Sequence, residues 1–375
     1  MLMWMIIMWT TLGITLLGLF YLCNRVSRFY FMEKLSKGKK KQKFWVSVLI
    51  VFGVFYLIGF LLNFMNAIVC VVYFAMIWLV CDFISALIIR YRKKTFDYYY
   101  AGISAIVLSI VALSVGWYLD YHVWQTDYTF TTAKLRMPLK IVMFADSHTG
   151  TTFHADGFAK HISAMQAQNP DVVIVAGDFV DDGTTRQDMI ETCRSLGQMK
   201  TTYGVYFVFG NHDKGYYGPE HRGFSGDELV AELERNGVKV LRDETELVAD
   251  AFYIIGRRDY SEVKEHSGYR KSMSELVQNL DKTKYMIVAD HQPTDYAKQT
   301  IAEVDLVLSG HTHGGQLFPF NRVGQWIGAN DRIYGHERRE KTDFIVTSGI
   351  SDWAIKFKTG TKSEYVVIHL IPENL

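Results

Sequence analysis

Four long apolar segments dominate the first third of the chain. They cover about residues 2–22, 44–62, 67–89 and 101–119, and Asp82 is the only charged residue within them. Each is close to the roughly 20 residues that a helix needs to cross the hydrocarbon core of a bilayer. Helices on the surface of a soluble protein carry a polar stripe, and these segments have none, so four buried helices of a soluble protein are the weaker interpretation. The pattern predicts a transmembrane region over residues 1–119.

A different pattern begins after a connector at residues 120–137. Short apolar runs, which predict strands, alternate with amphipathic segments, which predict helices, and this alternation is typical of an α/β sheet protein. We therefore predict one α/β domain over residues 138–375. The predicted strands are 139–145, 171–176, 205–209, 238–241, 246–248, 252–255, 285–289, 304–308, 344–347 and 365–370, and the predicted helices are 155–169, 185–199, 227–236, 270–282 and 294–303.

Charge divides the chain at the same place. Residues 1–119 contain 12 basic and 3 acidic residues, whereas the rest contains 28 basic and 36 acidic residues. The basic residues concentrate at 24–43 and 90–94, and the positive-inside rule places both loops in the cytoplasm. With four helices in a multi-pass region, the α/β domain then emerges on the non-cytoplasmic side of the cell membrane. Its acidic balance argues against a nucleic-acid partner, since a phosphate backbone needs a basic surface.

Polar motifs follow five of the predicted strands. Open α/β sheets bind ligands at the carboxyl ends of their strands, so we expect the motifs to meet at one rim. Glycines within them allow the backbone to approach a ligand closely. The motifs are Asp146-Ser147-His148, Gly177-Asp178-Phe179-Val180-Asp181-Asp182, Gly210-Asn211-His212-Asp213, Asp290-His291-Gln292-Pro293 and Gly310-His311-Thr312-His313-Gly314-Gly315-Gln316.

Seven side chains in these motifs are candidate metal ligands. Carboxylate, amide and imidazole ligands without thiolate favour Mn, Fe or Zn. Seven ligands exceed the four of a tetrahedral zinc and suit two divalent ions with a bridging carboxylate. Two such ions, roughly 3.5–4 Å apart, can bind a bridging hydroxide and clamp a phosphoryl group for in-line attack. The candidates are Asp146, His148, Asp178, Asn211, His291, His311 and His313.

Two further residues are candidates for proton transfer. His212 adjoins the predicted ligand Asn211 but points elsewhere, and it is the candidate general acid for the leaving oxygen. Asp181 is the candidate that holds the tautomer of His212.

In this order, the five motifs resemble those of the calcineurin-like metallophosphoesterase superfamily, over roughly residues 138–375. The stretches 310–316 and 291–293 are similar to its membrane-associated bacterial branch, which includes envelope phosphodiesterases and pyrophosphatases acting on lipid A precursors. The resemblance implies a four-layer αββα sandwich, in which helices flank two mixed sheets. It also implies one metal held by Asp146, His148, Asp178 and His313, a second held by Asp178, Asn211, His291 and His311 with Asp178 bridging, and a catalytic His212 partnered by Asp181.

The chain departs from that branch near its end. The branch often carries a Gly-Leu-Gly run and a Pro-x-Arg, whereas the matching residues 348–356 place Lys356 where the arginine is usual. Lysine lacks the planar fork of arginine, so the departure concerns the substrate and not the metal ligands. Lys356 and Arg257 are the candidate substrate-binding residues, with a solvated surface pair as the alternative for Arg257 and Arg258. Trp353 either lines the pocket or packs in the domain.

The leading hypothesis is a membrane-anchored, two-metal phosphoesterase that hydrolyses a phosphodiester, a pyrophosphate or a phosphomonoester, with lipid-linked and envelope-linked esters among the candidates. The alternative is a catalytically silent, metal-binding receptor or scaffold with the same fold; a nuclease is disfavoured by the acidic domain. Asp82 either has a function or pairs inside the helix bundle. Five histidines outside the motifs are expected to be structural, namely His154, His161, His221, His266 and His336.

Overall fold

A computed structural model describes residues 2–264 and 268–373. The chain divides into two compact units, Met1–Trp117 and Tyr118–Leu375. The first unit contains the helices α1 (Leu2–Val26), α2 (Tyr30–Leu35), α3 (Lys40–Leu61), α4 (Phe64–Arg92) and most of α5 (Tyr100–Tyr121).

Three helices of the described chain are long and apolar enough to cross a membrane, namely α3, α4 and α5. Large apolar side chains such as Leu49 and Phe60 are exposed on them, which suits a surface covered by lipid rather than by water. The predicted segment 2–22 also forms a helix, α1. The apolar pattern therefore predicted each of these helices to within a few residues of its ends.

The charged residue inside the third apolar segment is paired within the first unit. Asp82 accepts hydrogen bonds from the hydroxyls of Tyr21 and Tyr99, at 3.0 and 2.9 Å. Arg25 Nε lies 2.8 Å from Asp82 Oδ2. Of the two alternatives for this aspartate, the structure shows pairing between helices.

The second unit contains two six-stranded sheets with helices between the strands. Its strands are β1 (Val123–Thr132), β2 (Leu139–Phe144), β3 (Val172–Ala176), β4 (Val205–Val208), β5 (Val238–Val240), β6 (Glu244–Val248), β7 (Phe252–Gly256), β8 (Tyr285–Ala289), β9 (Leu306–Ser309), β10 (Gly335–Arg339), β11 (Thr342–Val346) and β12 (Ser363–Pro372). Its helices are α6 (Ala155–Gln166), α7 (Arg186–Gly197), α8 (Pro219–Arg222), α9 (Gly226–Arg235), α10 (Ser261–Lys264), α11 (Met273–Val277), α12 (Tyr296–Ile301) and α13 (Val323–Trp326), with a 3-10 turn at His313–Gly315.

Both sheets are mixed. The first has the order β1-β12-β2-β3-β4-β5, and only β12 and β2 pair antiparallel. The second has the order β10-β11-β9-β8-β7-β6, and its two outer pairs are antiparallel. Each sheet therefore has three parallel central strands, whose carboxyl ends lie at the same edge of that sheet. These strands are β2, β3 and β4 in the first sheet and β7, β8 and β9 in the second.

Three apolar clusters hold the second unit together. The first lies between the sheets and joins Ile141 and Ile174 to Ile254 and Ile287. The second packs the other face of the first sheet against α6, α7 and α9, and the third packs the second sheet against α11 and α12. Strands covered on both faces read as unbroken apolar runs, which is why the central strands were predicted with nearly correct ends.

The predictions were wrong where the pattern is polar or short. Residues 120–137, predicted as a connector, contain the ten-residue strand β1, which pairs in parallel with β12. In its second half alternate side chains are exposed, at Asp127, Thr129 and Thr131, so it has no apolar run to signal it. The predicted helix 270–282 shrinks to α11, which starts at a capping box formed by Ser272 and Glu275. The polar edge strand β10 was not predicted.

Candidate metal centre

All five motifs lie at one end of the second unit, each directly after a central strand. Asp146 comes two residues after β2, Asp178 two after β3, and Asn211 three after β4. From the second sheet, His291 comes two residues after β8 and His311 two after β9. The prediction that strand ends would bring these residues to one rim agrees with this arrangement.

Six of the seven candidate ligands form two groups. Asp146, His148 and His313 form the first, and Asp178, His291 and His311 form the second; within each group the ligand atoms lie within 4.8 Å of one another. Asp178 Oδ2 lies 3.1 Å from His291 Nε2 in its own group and 3.7 Å from His148 Nε2 in the other. One carboxylate therefore reaches both groups.

Backbone carbonyls fix the orientation of one histidine in each group. His291 Nδ1 lies 2.7 Å from the Ala176 carbonyl oxygen, and His313 Nδ1 lies 3.1 Å from that of Ser351. A carbonyl only accepts, so each Nδ1 carries the proton and donates it. Each Nε2 is then the ring nitrogen that can bind a cation once its own proton is released.

Unsatisfied buried atoms test whether these residues fit a cation. His148 Nε2 and Asn211 Oδ1 are both buried without a hydrogen-bond partner in the described chain. Asn211 Nδ2 donates to the Tyr216 hydroxyl at 2.9 Å, which identifies Oδ1 as the available atom of this amide. A buried polar atom without a partner costs about 1–3 kcal/mol, and a divalent cation would satisfy both atoms. The residues fit a metal centre.

Five of the seven candidate ligands have a left-handed backbone. Their φ angles lie between +37° and +71°, a region that residues other than glycine rarely adopt. Such conformations cost about 1–3 kcal/mol each and persist where the surroundings enforce them, commonly at functional sites. These five are Asp146, His148, Asp178, His311 and His313.

Asp213 is the residue that enforces this geometry around the second motif, and the sequence pattern did not predict a role for it. Its buried carboxylate accepts backbone N–H bonds at 2.7–3.1 Å from residues in two loops. The donors are Gly210, Asp178, Phe179 and Val180. One sequence signal could have indicated this role: Asp213 is an acidic residue in a short loop after a buried strand. A carboxylate buried there needs hydrogen-bond donors from the protein.

Gly210 is required for the same approach of the two loops. A Cβ atom at this position would lie 2.2 Å from Asp178 Oδ1 and 2.4 Å from Asp178 N. No side chain fits at that separation. The glycine before Asn211 therefore allows the bridging carboxylate to stand where it does.

Burial and mutual charge set the protonation of the site. Burial raises the pKa of Asp146 to about 6. Burial alone would also raise the pKa of Asp178, but the charge of neighbouring His291 outweighs it and holds this pKa well below its usual range. Burial lowers the pKa of His311 to about 4 and that of His313 well below its usual value. At neutral pH these two imidazoles are therefore neutral and ready to bind a cation.

The structure does not place Asp181 as the partner of His212. Asp181 Oδ2 lies 3.4 Å from His148 Nδ1, and Asp181 Oδ1 accepts the Gly183 N–H at 2.7 Å. The turn that follows β3 thus aims this carboxylate at a candidate ligand, so it orients His148 instead. The sequence motif places Asp181 near the site, but it does not specify which histidine the turn directs this carboxylate toward.

His212 lies over the site with aromatic neighbours. Its ring centroid is 5.0 Å from that of His148, 5.1 Å from that of Tyr216 and 5.7 Å from that of Trp353. Its backbone N–H donates to Asp178 Oδ1 at 2.8 Å. Burial lowers the pKa of the ring. Trp353 therefore lines the site, which decides between the two alternatives for that residue.

The two candidate substrate-binding residues have other partners. Arg257 is buried, and its Nη1 lies 2.8 Å from Asp290 Oδ2, so it is neither a phosphate contact nor a solvated pair with Arg258. Its charge is taken up by the carboxylate that precedes His291. Lys356 Nζ donates to the Thr151 carbonyl at 2.7 Å.

The histidines outside the motifs join neither group within the described chain. His154 and His336 lie 3.0 and 2.8 Å from the carboxylates of Asp188 and Asp343. The rings of His161 and His221 lie tilted against aromatic rings, with centroid distances of 4.9 Å to Phe153 and 5.4 Å to Tyr217. His266 lies outside the described residues.

Comparison with known proteins gives matches over the same part of the chain. Residues 139–315 match the family model described as calcineurin-like phosphoesterase. The chain is 31% identical over 239 residues to an uncharacterized metallophosphoesterase of Campylobacter jejuni, covering 63% of this chain and 60% of that protein. It is 33% identical over 202 residues to one of Aquifex aeolicus, covering 53% of this chain and 72% of that protein.

A vertebrate protein is also similar. The chain is 31% identical over 241 residues to a Danio rerio protein described as a transmembrane protein with metallophosphoesterase domain, covering 62% of this chain and 53% of that protein. The chain spans less than two thirds of the length of the Campylobacter and Danio proteins.

Proposed function

The chain belongs to the calcineurin-like metallophosphoesterase family, and from this premise we propose that it is a membrane-anchored hydrolase of phosphoric esters that uses two divalent cations. The observation that carries the proposal is the pair of three-ligand groups with Asp178 between them. The substrate is a phosphodiester, a pyrophosphate or a phosphomonoester.

Each group would hold one cation, Mn, Fe or Zn. Asp146, His148 and His313 serve the first, and His291 and His311 serve the second. Asp178 would bridge the two, and Asn211 would complete the second through Oδ1. When bound, two such cations activate water and neutralise charge on the phosphoryl group.

The neighbouring side chains would handle the proton and the substrate. Burial keeps the His212 ring neutral, but a bound phosphoryl anion favours the imidazolium, so this ring would take up a proton with the substrate. It then gives that proton to the leaving oxygen. Asp181, 3.4 Å from His148 Nδ1, would help to hold that ring, and Trp353 would line the substrate side beside His212.

The membrane arrangement belongs to the same proposal. We take α1 as a fourth spanning helix beside α3, α4 and α5, which leaves the catalytic domain on the non-cytoplasmic side. The two sheets with helices on their outer faces support a four-layer αββα domain.

The test is hydrolysis by the full chain purified in detergent, with bound metal counted in the same sample. A chromogenic phosphodiester and a phosphomonoester are assayed side by side with added Mn. Asp178→Asn removes the bridging charge, and a loss of about 3 kcal/mol of transition-state stabilisation predicts a rate roughly 100-fold lower. Asp182→Asn, a nearby half-buried aspartate outside both groups, is the matched control and should retain activity.

Three results distinguish the alternatives. Hydrolysis that is lost in Asp178→Asn and kept in Asp182→Asn supports the two-metal mechanism. Two bound metals without hydrolysis of any ester favour the metal-binding receptor or scaffold. A chain that binds no divalent metal refutes the proposal.

A further inference from the structure

An exposed apolar loop follows the last metal motif. We define the apolar loop as residues 317–330, which include α13. Trp326 is 72% exposed and Phe318 is 61% exposed, although most large apolar side chains of this unit are buried. The exposed large apolar side chains of the loop are Phe318, Phe320, Val323, Trp326 and Ile327. A concentrated exposed patch of this kind marks a surface that contacts a partner or a membrane.

The base of the apolar loop is fixed to the domain. The Phe318 N–H donates to Thr359 Oγ1 at 3.0 Å, and Gln316 Nε2 donates to the Ile355 carbonyl at 2.7 Å. Gly315 approaches Asn321 so closely that a Cβ atom would lie 1.9 Å from the Asn321 carbonyl oxygen. The exposed side chains are therefore held out by an anchored backbone.

The segment that anchors the apolar loop also holds the last turn of α5, which belongs to the same unit. Ser363 Oγ donates to the Asp120 carbonyl at 2.6 Å. Lys356 Nζ lies 5.7 Å from the centroid of the Tyr121 ring. Thr359 and Ser363 are four residues apart, so their Cα atoms are separated by at most roughly 14 Å. The attachment of the apolar loop and that of the end of α5 therefore lie close together on the domain.

The end of α5 has the composition of a membrane–water boundary. Tyr118 and Tyr121 are exposed there, and tyrosine and tryptophan concentrate at such boundaries. The headgroup layer is about 5–7 Å deep on each side of a hydrocarbon core about 30 Å thick. The base of the apolar loop is attached at Thr359, four residues before the serine that holds the end of α5, and its long aromatic side chains extend from that base toward this layer.

Charge favours lipid over a protein partner as the occupant of this surface. Arg322 is the only Asp, Glu, Lys or Arg residue between Asp305 and Asp331. Aromatic side chains next to a basic residue, with no acidic residue, suit an anionic lipid surface. Because the domain is joined to α5, which enters the bilayer, a lipid surface lies next to the domain.

We propose that the apolar loop inserts Phe318 and Trp326 into the headgroup layer of the bilayer that α5 crosses. Gly315 lies just before the loop and just after the candidate ligand His313. The metal centre then faces the lipid headgroups. Its substrate class is a phosphoester carried on a membrane lipid, an assignment that rests on the proposed function.

A spin label introduced by Trp326→Cys measures the depth of the apolar loop. The full chain is reconstituted in nanodiscs that contain an anionic phospholipid, and collisions with oxygen and with a water-soluble nickel chelate are compared. Leu49→Cys, on the exposed surface of α3, is the lipid reference, and Ile301→Cys, 81% exposed at the end of α12, is the water reference. The native cysteines Cys23, Cys70, Cys81 and Cys193 are buried, so the unsubstituted chain gives the labelling background.

The expected result is a ratio of oxygen to nickel collisions at 326 well above that at 301 and approaching that at 49. A ratio equal to that at 301 overturns the proposal. A label shielded from both reagents indicates a protein partner and also overturns it. If the label at 49 is not lipid-exposed, the membrane premise itself fails.

Activity gives a separate reading of the substrate class. Trp326→Glu should raise KM for a lipid phosphoester in vesicles and leave the hydrolysis of a soluble chromogenic ester unchanged. Equal effects on both substrates contradict a role at the lipid surface. Absence of hydrolysis with either ester counts against the proposed function, while the depth measurement still decides whether the loop contacts lipid.

Discussion

Replacing Asp213 with asparagine should loosen the rim that carries the metal centre. Each carboxylate oxygen accepts two backbone N–H groups: Oδ2 accepts from Asp178 and Gly210, and Oδ1 accepts from Phe179 and Val180. An asparagine keeps one acceptor oxygen and turns an NH2 group toward two donors. Burial raises the pKa of Asp213 to about 7, so the carboxylate is charged at pH 8, and there two hydrogen bonds to a charged acceptor, worth about 1.5–3 kcal/mol each, are lost.

The expected destabilisation is therefore about 3–6 kcal/mol, a large fraction of the stability of a typical domain. For a domain of this size, it corresponds to a fall in Tm of roughly 6–24 °C. The assay is thermal unfolding of the purified full chain without added metal, followed by metal content. Asp182→Asn is the matched control, because Asp182 accepts the N–H groups of Tyr216 and Tyr217 in a solvent-exposed turn. A Tm within about 2 °C of the unsubstituted chain, with unchanged metal content, would refute the reasoning.

Three further substitutions test other parts of the structure. Gly210→Ala should lose bound metal and hydrolysis because its Cβ would lie 2.2 Å from Asp178 Oδ1, whereas Gly226→Ala, whose Cβ would make only ordinary contacts, should retain both. Asp82→Asn leaves Arg25 without its carboxylate and should lower stability in detergent by about 1–3 kcal/mol without changing hydrolysis per folded molecule; Asp97→Asn, at an exposed position, should change neither. Burial lowers the pKa of His161 to about 4, whereas a histidine in the unfolded chain has a pKa of about 6.5. Between these two pH values only the unfolded chain binds the extra proton, so the free energy of unfolding decreases as pH falls through this window, by at most about 3 kcal/mol. Urea unfolding of His161→Gln should show a smaller loss over this window than the unsubstituted chain, and an equal loss would contradict the assignment.

The sequence predicted those helices and strands whose burial produces a local run of apolar residues. Helix α4 is long and largely apolar, and strands such as β3 and β8 are apolar throughout because protein covers both of their faces; the ends of all three were found to within a few residues. Strand β1 pairs along its whole length but leaves alternate side chains of its second half in water, so its stability comes from hydrogen bonds to β12 that lie more than 200 residues away. No local pattern records such a pairing.

The candidate site divides in the same way. His148, Asp178 and His291 follow apolar runs directly, and parallel strands bring such positions together, so spacing alone was enough to predict the neighbourhood. The partner of Asp181 depends on the direction of one turn, which spacing does not specify. Arg257 was assigned to the surface or the substrate because a charge is rarely buried, and it is buried because Asp290 compensates it.

The left-handed ligands connect the fold to the chemistry. At about 1–3 kcal/mol each, five such residues cost about 5–15 kcal/mol, as much as the whole stability of a typical domain. Contacts that the same residues make in this conformation offset part of that cost: Asp146 accepts the His311 N–H at 3.0 Å, and Asp178 accepts the His212 N–H at 2.8 Å. The carboxylates that face the site are thus also acceptors that hold another motif in its turn. Asp178 holds the third motif within the first sheet, whereas Asp146 holds the fifth motif across the gap between the sheets, so the ligand geometry is a property of the closed sandwich and no single motif adopts it alone.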